Sequence, residues 1–257
     1  MGIITFNGIS SEQYGIHVET PPAYVMPEHD YEVIHVPGRN GDIIIDKGSY
    51  KNVTRTYDIS FGEHDGDFTS FASGIADWLF RYPGYGRLED SYEPDYFRNA
   101  YYSGGLEIEN IYHQAGRASL EFTCEPARYL KSGTTSYTFT SDGTLTNPTE
   151  QSSLPTITIY MVSSSGSVTS PLRVLVNGTL IVVTATSART FTINSSDQTI
   201  YRNGYINNSD VVFYDEEETA SKQTLDFPKL SRGVNTISFI GDVGSNRVTI
   251  RPNWWTL

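Results

Sequence analysis

Hydrophobic and polar residues alternate with a period of two along most of this chain. In "VTRTYDISF", Val53, Tyr57, Ile59 and Phe61 fall on one side of an extended segment with Arg55 among them; Thr54, Thr56, Asp58 and Ser60 fall on the other. "ASLEFTC" repeats the pattern, with Ala118, Leu120, Phe122 and Cys124 inward and Ser119, Glu121 and Thr123 outward. One window departs from it. "DFTSFASGIADWLF" carries Phe68, Phe71, Ile75, Trp78 and Leu79 at helical spacing and predicts a single amphipathic helix, capped by Asp67 or Thr69 and stopped by Pro83-Gly84.

The elements fall into two groups. Before the helix, "GIITFNG" and "YGIHVE" are expected as short strands joined by "ISSEQ". "PPAYVMP" is an extended connector, and Pro-Gly and Asn-Gly turns lead into "DIIID". Strands resume from Gly86 to Tyr129. Residues 131–153 are Ser/Thr-rich with few apolar positions and are read as the domain boundary. This gives an N-terminal domain over 1–130 and a C-terminal domain over 131–257, whose last ten or so residues could return to the first. Beyond the boundary, short strands recur every 8–12 residues, including a hairpin around Asn177-Gly178, and no helical window occurs. The expected fold is mainly β: a β-sandwich-like domain with one α-helix, followed by a β-sandwich or jelly roll.

Composition narrows the function. A single cysteine, Cys124, excludes an internal disulfide and a multi-cysteine zinc site, and its place in an alternating strand makes it a core residue. The net charge of −12 is lopsided: residues 1–130 hold 20 acidic against 9 basic side chains, and residues 131–257 hold 10 against 9. An acidic half of −11 argues against gripping a phosphate backbone. The start of the chain lacks a basic region followed by an apolar run, Phe6 stands where a myristoylation signal needs Ser or Thr, and no window approaches 18 apolar residues. Synthesis in a cytoplasm without membrane insertion is expected, and the Asn-x-Ser/Thr triplets at Asn52, Asn177, Asn194 and Asn207 are read as chance.

Catalytic constellations are not evident. His17, His29, His35, His64 and His113 include no pair at i, i+4, and the second half has neither His nor Cys. "HDGD" (64–67) lacks the remaining ligands of a calcium loop and reads as a turn; "DEEE" (215–218) reads as a surface loop. "GYGRLE" (84–89) does not follow a strand and open a helix, so no dinucleotide site is expected. No catalytic, cofactor or metal residue is assigned, and abundant carboxylates alone support a cell-wall hydrolase. A second class is a carbohydrate-binding module. Its stacking surface would draw on Tyr137, Tyr160, Tyr201, Tyr205, Tyr214, Trp254 and Trp255, with Tyr201, Tyr205 and Tyr214 as the candidate glycan contacts.

Taken in order, "FNGISSEQYGIHV", "VPGRNGDIIIDKGSYKNVTRTYDISF", "FASGIADWLF", "PGYGRLEDSYEPDYFRNAYYSG" and "GRASLEFTCEPARYL" resemble the N-terminal domain of the distal tail (Dit) proteins of siphophages infecting Gram-positive bacteria. "FPKLSRGVNTISFIGDVGSNRVTIRPNWW" resembles that family's C-terminal domain, where a turn ending in Gly233 and Asn235 leads into the last strands. The resemblance implies a non-enzymatic virion protein at the tail tip: a homohexameric ring of N-terminal domains with galectin-like or carbohydrate-module-like sandwiches projecting outward. Its implied partners are other copies of itself, the tail tube protein and a tail-associated, lysin-like baseplate protein, with the tape measure and receptor-binding proteins as further neighbours. The chain is too short to carry an inserted sugar-binding module. In such a ring, Ile43, Ile44, Ile45 and Tyr50 are expected at or beside the subunit contact, with Arg55 pairing an acidic neighbour. Six acidic halves would gather about −66 of formal charge around a channel that DNA could pass without sticking.

Overall fold

The computed structural model describes residues 2–62, 68–105, 109–111, 115–162, 171–184, 189–207, 209–217, 219–241 and 246–257. The chain divides into two compact units, Met1–Arg128 with Leu257, and Tyr129–Thr256.

In the first unit the strands are β1 (Ile4–Phe6), β2 (Ile9–Ser10), β3 (Ile16–Val18), β4 (His29–Ile34), β5 (Ile43–Tyr50) and β6 (Val53–Phe61). After helix α1 (Phe68–Phe80) come β7 (Gly86–Asp90), β8 (Tyr96–Tyr102), β9 (Glu109–Ile111) and β10 (Ala115–Cys124). They hydrogen-bond in the order β2-β1-β7-β8-β10-β6-β3, with β9 on β10, and β4 and β5 form a separate two-stranded ribbon. The longest pairing runs the whole of β6 against β10, from Val53 opposite Cys124 to Phe61 opposite Gly116. Burial alternates strictly along β6, as the period-two pattern requires. Its inward residues meet Leu120 and Phe122 of β10, Phe6 of β1, and Ile75, Trp78 and Leu79 of α1. Trp78 is fully buried, stacks on Tyr14 with centroids 5.3 Å apart, and donates its indole N–H to the Phe6 carbonyl at 3.2 Å. A buried Trp needs such a partner for its one polar atom.

Two details of the first unit differ from the sequence reading. Asn7 and Gly8, both at positive φ, close a tight β1–β2 hairpin, and "ISSEQ" is no simple connector. It supplies β2 and then a 3-10 turn, Ser11–Tyr14, capped by the Ser10 hydroxyl. Thr69 lies inside α1 and so is not its cap, while Asp67 falls outside the described residues.

β11 (Arg128–Leu130) spans the junction. The second unit then contains β12 (Tyr137–Phe139), β13 (Gly143–Asn147), β14 (Thr156–Met161), β15 (Leu172–Val176), β16 (Thr179–Val183), β17 (Arg189–Asn194), β18 (Thr199–Arg202), β19 (Tyr205–Ile206), β20 (Val211–Asp215), β21 (Gln223–Thr224), β22 (Gly233–Ile240), β23 (Arg247–Arg251) and β24 (Trp255–Thr256). Two six-stranded antiparallel sheets, β12-β23-β14-β17-β18-β19 and β13-β22-β15-β16-β20-β21, enclose a core of Ile157, Val174, Phe191, Ile237, Ile250 and Trp254 among others. That is a β-sandwich. The β15–β16 hairpin turns at Asn177 (φ 46°) and Gly178 (φ 90°), the left-handed pair that a two-residue turn demands. Residues 131–153, the Ser/Thr-rich stretch read as the domain boundary, also carry regular structure. They contain a 3-10 turn and both β12 and β13, one edge strand for each sheet. Edge strands are half exposed, so Thr and Ser serve them well; Leu145 and Phe139 alone reach the core.

The two terminal tryptophans find different partners within this unit. Trp254 is buried in the core, and Trp255 donates Nε1–H to the Ser152 carbonyl at 2.9 Å. Asn253, at φ 56°, makes the turn that seats them. A Cβ on Gly133 would run into the backbone nitrogen of Trp254. Gly133→Ala should therefore cost about 1–3 kcal/mol in urea unfolding, and an unchanged midpoint would show that this close approach does not exist.

Candidate interaction surface

A two-stranded ribbon with no third strand is marginal in water unless something covers it. The β4–β5 ribbon has little cover from its own chain, since its residues are exposed apart from the half-buried Asp30, Ile43 and Tyr50. Residues directly opposite share a face, so Val33 lies beside Ile44 and Tyr31 beside Asp46 on one side, and Ile34 beside Ile43 and Glu32 beside Ile45 on the other. Both faces are apolar. Val33 is 59% exposed and Ile44 65%, and burying what remains exposed of each would contribute about 1–2 kcal/mol. Ion pairs line the ribbon, Lys47–Asp30 at 3.4 Å and Lys51–Glu28 at 3.3 Å, with His35 against Asp42 at 3.0 Å beside it. Exposed pairs of this kind add little stability. Near the base, His29 packs against Tyr50 and Tyr31 at 4.3 and 5.1 Å, where the register shifts.

Tyr50 of β5 is followed almost at once by β6, whose third residue is Arg55. This guanidinium is 5% exposed, neither at a surface nor reaching for solvent. The acidic neighbours expected for it belong to its own chain: Nη2 lies 2.9 Å from Asp90 Oδ2 and 2.9 Å from Glu93 Oε2. Its Nε donates to the Tyr57 hydroxyl at 2.9 Å, and that hydroxyl donates to Asp90 at 2.8 Å. The other Asp90 oxygen accepts the backbone N–H groups of Tyr92 and Glu93, both at 2.9 Å, which fixes the turn after β7. Glu93 also takes Arg128 Nη1 at 2.6 Å and faces Arg98 at 3.6 Å, and Arg128 donates to the Leu257 carbonyl at 2.9 Å and the Tyr24 hydroxyl at 3.0 Å.

Burial disfavours the charge on Arg55, but Tyr57, Asp90 and Glu93 outweigh it and raise its pKa. Burial and then Asp90 push the Tyr57 phenol well above its usual range. Burial and then the charge of Arg55 lower Arg98. Cys124, an inward residue of β10, has its thiol pushed up to about 11 by burial, against the pull of Arg98 and Arg55.

The remaining sequence candidates do not converge. Tyr201 sits opposite Ile206 and Tyr205 opposite Arg202, so Tyr201 and Tyr205 project from opposite faces of one sheet, while Tyr214 belongs to β20 of the other. Trp254 is consumed by the core, and Tyr160 lies under the Arg247 guanidinium at 4.4 Å. Ile43 and Tyr50 are half-buried at the ends of β5, with Ile44 and Ile45 exposed between them. All of "HDGD" (64–67), with His113 and Glu218, lies outside the described residues. Among the described residues, no three of His, Cys, Asp and Glu come together as a metal site. Sequence reasoning missed Asp90, Glu93, Arg98 and Arg128. The dense charges in "LEDSYEPDYFR", set between Leu88 and Phe97, were the available signal.

No family model and no curated protein matches this chain. Among solved structures it is similar over 97% of its length, and 98% of the other chain, to the Dit protein of phage SPP1, described as a paradigm of the hub adsorption apparatus in Gram-positive infecting phages. The TM-score is 0.62 at 13% identity, a likeness of fold. A chain of the phage p2 baseplate in its activated conformation with Sr aligns at a TM-score of 0.48 and 9% identity, covering 97% and 96%.

Removing one partner of a buried charge network leaves the others uncompensated. Arg55→Met should cost about 3–5 kcal/mol in denaturant unfolding, and a cost below 1 kcal/mol would mean the network is solvated. Alkaline pH probes the same site. The folded chain holds the Cys124 thiol protonated up to about 11, above its ordinary value of 9.0, so this stabilisation is complete below about pH 9 and is lost as pH rises from 9 to 11. Stability should fall across that window, and Cys124→Ala should remove roughly 2–3 kcal/mol of the fall; an identical slope in the variant would refute the assignment.

Proposed function

We propose that this chain is the hub subunit of a siphophage tail tip, a distal tail protein assembling into a homohexameric ring of its first units. The observation that carries this reading is the end-to-end likeness of fold to SPP1 Dit, spanning both units in order. The apolar ribbon supports it independently, because an exposed two-stranded element with two unpaired edges invites association, and a closed ring uses every copy of such an edge.

In this reading, Ile43, Ile44, Ile45 and Tyr50 lie in or beside the contact between neighbouring subunits. Arg55 acts behind them, holding β6 and the base of the ribbon against the turn after β7. The ring joins the tail tube to a tail-associated, lysin-like baseplate protein, with the tape measure and receptor-binding proteins as further neighbours, in a virion assembled in the bacterial host's cytoplasm. The role is structural, without catalysis. The charge of −11 on residues 1–130 suits a channel wall that repels DNA in transit; a ring whose inner wall is neutral or basic would remove that part of the proposal.

Light scattering on the size-exclusion peak, with electron micrographs, tests the assembly. The expected result is a six-fold ring for the native chain and a monomer with unchanged circular dichroism for Ile44→Asp. An Ile44→Asp protein that still forms rings would overturn the placement of the ribbon.

A further inference from the structure

The ribbon poses a requirement that a single flat contact cannot meet. Its two faces are both apolar, Tyr31, Val33 and Ile44 on one and Ile34, Ile43 and Ile45 on the other, so burying either leaves the other in water. The eight-residue β5 spans about 26 Å, so the ribbon offers a long contact on each face.

The same unit carries a second apolar surface of different composition. Phe80 at the end of α1, then Tyr82 and Tyr85 in the following turn, and Tyr101 on β8 are all exposed. They are tied together at the C-terminal end of β8: Phe80 packs edge-on against Tyr102 at 5.1 Å, and Tyr85 against Tyr101 at 5.4 Å. Tyr101 and Tyr102 point to opposite faces of the sheet, so the aromatics form a collar around a strand end. Asn52, at the ribbon's base, donates to the Tyr85 hydroxyl at 2.6 Å, which fixes the collar relative to the root of its own ribbon. Charge also matches. Arg81, between Phe80 and Tyr82 in the chain, is exposed with no ion pair among the described residues, and Glu32, exposed on the ribbon, likewise has none.

We infer that the β4–β5 ribbon of one copy is received by the aromatic collar of the next copy, in a seat that covers both faces, with Arg81 meeting Glu32. The inference rests on the ring reading above and names the two halves of its head-to-tail contact. The collar and the ribbon are different surfaces, as an asymmetric contact repeated around a rotation requires. Aromatic residues beside an arginine are also the side chains that most often anchor such contacts.

The test places a photo-cross-linking benzophenone amino acid at Tyr82, and separately at Ile44 and at Ile45, in an equal mixture of 15N-labelled and unlabelled chain. Cross-linked peptides that mix isotopes come from two copies. The expected products join position 82 of one copy to residues 29–50 of another, and join both 44 and 45, which face opposite ways, to a second copy. As a second measure, Arg81→Glu should raise the concentration for half-assembly roughly tenfold, and adding Glu32→Arg should restore it. Rings that form while position 82 cross-links elsewhere, or only within its own chain, would overturn the collar as the seat and leave the ring intact. Mixed-isotope products from only one of positions 44 and 45 would overturn the two-sided seat. A chain that is monomeric at every concentration would overturn both the inference and the ring.

Discussion

The first unit is organised around a buried charge. Arg55 occupies an inward position of a strand whose other inward residues are Val53, Tyr57, Ile59 and Phe61. Taking a guanidinium out of water is expensive, and the expense is offset only if carboxylates arrive with good geometry. Asp90 arrives from the end of β7 and Glu93 from the turn that follows, and their placement depends on β7 and β8 flanking that turn. One charge in β6 therefore dictates where a loop more than thirty residues away must sit. Tyr57 completes the arrangement, accepting from Arg55 Nε and donating to Asp90, whose two carboxylate oxygens are both hydrogen-bonded.

This rigidity matters because of what stands beside it. A ribbon of two strands has too little area to define its own direction. Anchored two residues before a β6 that is paired with β10 along its full length and pinned by Arg55, it acquires a fixed root. A root of that kind lets an exposed apolar element serve recognition, whereas the same residues on a loose tether would be an aggregation hazard.

The second unit is built differently. Its core is aliphatic and aromatic, drawn from two facing sheets, and its buried polar groups include two asparagines, Asn147 and Asn235, each bonded to nearby backbone. Several tyrosines that composition alone presents as a sugar platform are spread over different faces, because alternate residues of a strand and the strands of two sheets cannot share one surface.

Period-two alternation is a local property, and so the mainly β character, the inward and outward sets of β6 and β10, helix α1 and the Asn177-Gly178 hairpin were all legible in residue order alone. The run Ile43, Ile44 and Ile45 was also legible as one strand. What residue order could not supply was distance between segments. The partners of Arg55 lie 35 and 38 residues on in the chain, and no spacing rule links a strand arginine to a remote turn. The strands hidden in the Ser/Thr-rich stretch 131–153 were invisible for a related reason: an edge strand needs few apolar residues, and only its neighbours in the sheet reveal it. That both faces of the β4–β5 ribbon are apolar and uncovered was also decided by tertiary structure, since the pairing of Val33 with Ile44 and Glu32 with Ile45 is a matter of register. Register depends on the turn and the bulge that join two strands, and the hydrophobic pattern of either one alone does not fix it.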